Sequence, residues 1–110
     1  MKTPKVKKLK IGSSWYDVEY VDELKDEKGR VLFGRIFECI RKIKINKGIS
    51  SYQTMLQTLY HESRHGMMWE YVVEDIEDLV KQVTNGSYAF IIDNPEFIKE
   101  ILRNAKGEKC

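Results

Sequence analysis

Charged and apolar residues alternate one for one at Lys8-Leu9-Lys10-Ile11 and again at Lys42-Ile43-Lys44-Ile45. A period of two leaves few options: each stretch must be a strand with one face buried and the other in water. Residues 5–11 and 15–21, joined through Gly12-Ser13-Ser14, read as one pair of strands, and 31–38 and 41–46 as a second, with Asp26-Glu27-Lys28-Gly29 as a turn between them. The lysines then mark solvated outer faces rather than a nucleic-acid-binding surface, and the net charge of +2 is too small to argue otherwise.

The period changes in the second half. From Ser51 to Trp69 there is no proline and no glycine before Gly66, Ser50 and Ser51 offer N-caps, and Met55, Leu59 and Tyr60 recur at helical spacing. This predicts a helix over about 51–68, with Met55, Leu59 and Met67 as core. A second helix is expected over about 74–92, with Val73, Ile76, Val80, Val83 and Phe90 as its apolar positions, and a short third one opens with Asn94 as cap and Pro95 at its first position. Strands followed by helices give an α+β class: a small antiparallel or mixed sheet packed on two main helices, plus a short C-terminal helix.

With 110 residues, 42% of them hydrophobic and 33% charged, the chain can bury one modest core. It reads as a single domain over 1–110, mostly strands to residue 48, mostly helices over 49–105, and a tail at 106–110. No apolar run approaches the roughly 20 residues of a membrane span. The basic start lacks the apolar stretch of a secretory signal, so an intracellular, cytoplasmic protein is expected, with Cys39 and Cys110 as free thiols.

Both histidines of the chain fall in one pentapeptide, His61-Glu62-Ser63-Arg64-His65. Residues four apart on a helix share a face, so both imidazoles can reach one ion at about 2.0 to 2.1 Å. Two imidazoles and a carboxylate suit zinc. Glu62 lies beside such a metal rather than on it, placed to take a proton from a zinc-bound water and return it to a leaving amine. Positions 55, 58, 59, 62, 65 and 66 fall on one side, which sets the motif on or beside the apolar stripe, where a buried metal site belongs. A catalytic zinc needs a third protein ligand. At about 100° per residue Glu77 lies roughly 90° from the centre of the second helix's inward stripe, whereas Glu74 and Asp78 point closer to solvent. Glu77 is therefore the expected ligand, with Glu74 and Glu70 in reserve.

These residues resemble the minimal gluzincin-type zincins, small HExxH proteins common among bacteriophage genes. The resemblance rests on two blocks: Arg41-Lys42-Ile43-Lys44-Ile45 followed by Gln57-Thr58-Leu59-Tyr60-His61-Glu62-Ser63-Arg64-His65, and later Glu77 to Gly86. It implies a zincin-like fold, a zinc metallopeptidase activity and the first acid of the second block, Glu77, as metal ligand. Arg64 departs from the pattern, whose inner positions are usually uncharged.

The expected function is a zinc-dependent metallopeptidase-like hydrolase: His61, His65 and Glu77 hold the metal, Glu62 activates water, and a peptide or protein is the substrate. An extended peptide would add to Ile43-Lys44-Ile45, expected at the lip of the cleft with its backbone donors free. Tyr60, Tyr71 and Tyr88 are candidates to stabilise the oxyanion. The alternative is a non-catalytic zinc-binding phage protein that binds or regulates a partner.

Overall fold

The computed structural model describes residues 2–71 and 76–105, without the side chains of 71 and 76–84. The alternating stretches become β1 (Lys8–Ile11), β2 (Ser14–Val21), β3 (Gly34–Phe37) and β4 (Lys42–Asn46). The second half becomes α1 (Tyr52–Tyr71), α2 (Ile76–Asp93) and α3 (Pro95–Ala105). The class is α+β as expected, and the sheet is mixed. β1 and β2 pair antiparallel across a link in which Gly12 takes φ +60°, a conformation open to glycine because it has no Cβ. β4 pairs parallel with β2 and antiparallel with β3, giving the spatial order β1-β2-β4-β3.

Register explains why this order is stable. Leu9 stands opposite Tyr16, Val18 opposite Ile43 and Tyr20 opposite Ile45, so Leu9, Ile11, Tyr16, Val18, Ile43 and Ile45 share one buried face. The opposite face carries the lysines. There Lys42 Nζ lies 2.7 Å from Glu19 and Lys8 Nζ 3.9 Å from Asp17. The hydrogen bond from Lys42 holds the Glu19 carboxyl below its ordinary range. Asp17 and Glu19 on β2 thus stand between the lysines of β1 and β4, a cross-strand matching of charge.

One expectation is overturned. The strand that precedes α1 is not at the lip of a cleft, because β4 lies inside the sheet with β2 on one side and β3 on the other. The hydrogen-bonding edges of Ile43-Lys44-Ile45 are occupied, and the edge strand on that side of the sheet is β3. That strand is shorter than 31–38, since Val31 bridges Lys25 in a separate small hairpin. Its turn is held by Asp26, whose carboxylate accepts the N–H of Lys28 at 2.8 Å and of Arg30 at 2.9 Å.

The two serines before α1 have different jobs. Ser51 is the N-cap, its Oγ accepting the Thr54 N–H at 3.1 Å. The buried Ser50 donates to the Asn46 carbonyl at 2.6 Å. α1 then crosses the buried face of the sheet, with Met55, Leu59 and Met67 in the core as expected. Phe90 of α2 and Phe97 of α3 meet edge to face at 6.0 Å in the same cluster. Of the other apolar positions expected in the second helix, Val73 lies outside the described residues and Ile76, Val80 and Val83 outside the described side chains. Asn94 precedes α3 as the cap position requires, its carbonyl accepting the Ile98 N–H. Its side chain, however, bonds to the main chain of Lys10 in β1. Among the described residues no helix is long and apolar enough to cross a membrane.

Candidate metal centre

The helical turn between His61 and His65 brings their Nε2 atoms to 3.3 Å, with ring centroids 4.9 Å apart and planes at 78°. Both imidazoles are exposed, which corrects the placing of His65 on the inward side. The stripe that is buried runs through Leu56, Leu59, Ser63, Gly66 and Met67, with Glu62 at its border, 9% exposed. The reason is the close approach of helix to sheet. A Cβ on Gly66 would lie 2.9 Å from Ile11 Cδ1 and 3.2 Å from Ile36 Cδ1, so small residues face inward and the histidines stand on the flank. Ser63, fully buried, donates back to the Leu59 carbonyl at 2.8 Å, and Arg64 is exposed.

Glu62 and His61 share the wall of a hollow of about 390 Å³ with Thr54, Gln57 and Thr58 of α1 and with Phe33 and Gly34 at the start of β3. Thr54, Thr58, His61 and His65 follow one another at intervals of four, three and four, so they share a flank. That spacing could have singled out the two threonines. Nothing local marks Phe33 or Gly34, which enter through the tertiary fold.

β3 comes so near α1 that a Cβ on Gly34 would lie 2.5 Å from Thr58 Cγ2. Gly34→Ala is therefore expected to destabilise the fold by about 1 to 3 kcal/mol through overpacking. Thr58→Ser removes the offending methyl and should recover much of that loss. Urea midpoints over the double-mutant cycle measure the coupling, and an equal penalty in both backgrounds would contradict this packing.

The remaining candidate ligands are placed as follows. Glu77 stands in the first turn of α2, and its side chain lies outside the described ones; Glu74 lies outside the described residues altogether. Glu70 turns to the β1–β2 link, where Ser14 Oγ lies 3.4 Å from its carboxylate. Among the described residues no third His, Cys, Asp or Glu joins the histidine pair in a metal-binding group. Of the tyrosines, Tyr71 lies outside the described side chains. Tyr88 is 68% exposed, and Tyr60 packs edge-on to Phe90 at 6.3 Å and lines a different hollow. Neither Tyr60 nor Tyr88 lines the hollow beside His61. Cys39 is a free, exposed thiol in the turn between β3 and β4, and Cys110 lies outside the described residues.

Compared with known proteins, the chain matches no family model, no curated protein and no solved structure.

Proposed function

We propose that the chain is a zinc-dependent peptidase-like hydrolase in which His61 and His65 hold the metal with Glu77 as third ligand, and Glu62 is the general base. The separation of the two Nε2 atoms, 3.3 Å, carries this reading. Two nitrogens each about 2.0 to 2.1 Å from one tetrahedral ion stand about 3.3 to 3.4 Å apart, which is the spacing of this pair.

Zinc in such a site supplies a Lewis acid that polarises a carbonyl and makes water more acidic. The chain's own part is proton handling and positioning. Glu62, at the wall of the hollow beside His61, takes a proton from the attacking water and delivers it to the leaving amine. β3 lies at the sheet edge and contributes Gly34 to that hollow. An extended peptide can therefore pair its main chain with β3, the role expected earlier of β4, and bring a carbonyl towards the histidines. The free Cys39 fits a reducing, intracellular compartment.

Exposure of both imidazoles and of Arg64 favours a second reading, a metal site that serves a partner contact without catalysis. Metal content tests the part common to both. Elemental analysis of the purified chain should give about one zinc ion per molecule, falling to background in His61→Ala and strongly reduced in Glu77→Ala. A chain that stays free of zinc after zinc is supplied would falsify both readings.

A further inference from the structure

Two hollows flank the N-terminal half of α1, and Gln57 lines both. One is the hollow of His61 and Glu62. The other, about 400 Å³, lies between α1 and α3. Its apolar lining is Leu56, itself 3% exposed, Ile101 and Ala105, with the ring of Tyr60 steadied against Phe90. Its polar lining is three carboxamides, Gln53, Gln57 and Asn104. On a chain in which 33% of residues are charged, none of the described residues that line this hollow carries a charge. Among the described residues of the lining a charged ligand finds no counter-ion, whereas an apolar body finds Leu56, Ile101 and Tyr60. Carboxamides offer both donors and acceptors, the complement of a peptide main chain. The volume is within the range of sites that enclose small organic groups.

We propose that the α1–α3 hollow is a subsite for an uncharged, apolar side chain, aliphatic or aromatic, of a peptide whose main chain passes Gln57 into the hollow of His61 and Glu62. The identity of the ligand as a peptide rests on the hydrolase reading above. Gln57 is then a positioning residue, and the preference for uncharged side chains is set by what lines the α1–α3 hollow.

The test uses the full chain and a series of short capped alanine peptides in which a single phenylalanine or a single glutamate is moved along the sequence. Backbone amide shifts report where each peptide binds. In at least one position the phenylalanine peptide should shift Gln53, Gln57 and Ile101 and bind about tenfold or more tightly than its glutamate counterpart. Ala105→Trp, a substitution at an exposed residue of the lining, should abolish that advantage. Equal binding of the two peptides at every position, or shifts that leave Gln53 and Ile101 unmoved, would overturn the subsite. Binding needs no turnover, so the two ideas fail separately. Peptides that bind there yet are never cut, on a chain without metal, sustain the subsite and sink the hydrolase. Peptides cut without any shift at Gln53 or Ile101 do the reverse.

Discussion

Glu62→Gln should lower peptide hydrolysis by about 10²- to 10⁴-fold, the usual contribution of a general base, and leave the zinc content unchanged. Glutamine keeps the shape of the side chain that walls the hollow beside His61. It removes only the basic oxygen. Because Glu62 is 9% exposed, a neutral amide there should be at least as well tolerated as a carboxylate, so lost activity will not reflect lost fold. Thermal unfolding of the variant checks that point. The contrast with His61→Ala is informative, since that change should remove metal and activity together. Hydrolysis is followed on capped peptides with zinc supplied, wild type beside the variant. A glutamine variant that keeps most of its activity would remove Glu62 from the mechanism. One that loses zinc would make Glu62 a ligand instead. A wild type that binds zinc and cuts nothing favours the partner-binding reading, because the motif would then hold metal without turnover.

Much of the fold is legible in the sequence because its signals are local. The lysines that alternate with Leu9, Ile11, Ile43 and Ile45 do face outward, and those four apolar side chains are fully buried. Strand order is not local. β4 enters between β2 and β3 because Val18 and Tyr20 line up with Ile43 and Ile45, a register no single segment encodes. The face that α1 turns inward is likewise not set by one segment. The side formed by positions 55, 58, 59, 62, 65 and 66 centres near Met55, but Leu56, Ser63 and Met67, about 80° to 120° round the helix from it, are buried while His65 is exposed. Ser63 and Gly66 are buried as well, although a hydrophobicity pattern gives neither any weight. Gly66 is inward because Ile11 and Ile36 leave no room for more. His61 and His65 come together because a four-residue spacing survives any rotation of the helix about its axis. Gln57, Phe33 and Gly34 carry no such local signal, because a hollow is made by the meeting of elements far apart in sequence.

The sheet has two edges, and the chain treats them differently. β3 borders the hollow of His61 and Glu62, whereas β1 is met by a side chain. Asn94 Oδ1 accepts the Lys10 N–H at 2.9 Å, and its Nδ2 donates to the Lys10 carbonyl at 2.9 Å. The carboxamide thus pairs with β1 much as a neighbouring strand would. Nδ2 also lies 2.9 Å from the Phe90 carbonyl at the end of α2, so one buried residue ties β1 to the junction of α2 and α3. Asn94→Ala removes all of these bonds and takes the partner from the Lys10 N–H and carbonyl at this edge, while the Phe90 carbonyl keeps the Asn94 main-chain N–H at 3.1 Å. The expected loss is about 2 to 4 kcal/mol, the sum of several unmade bonds, which is a large share of a typical domain's stability of about 5 to 15 kcal/mol. Asn94→Asp keeps the acceptor for the Lys10 N–H but not the donors, and should fall between wild type and alanine. Urea unfolding gives the energies, with an unchanged slope if the denatured state is unaffected. Hydrogen exchange at the Lys10 amide locates the effect: protection should drop in Asn94→Ala and persist in Asn94→Asp. A loss below about 0.5 kcal/mol, the scale of an ordinary surface substitution, would mean that water replaces Asn94 at β1 without penalty. The two sheet edges would then differ far less than the bonding of Asn94 implies.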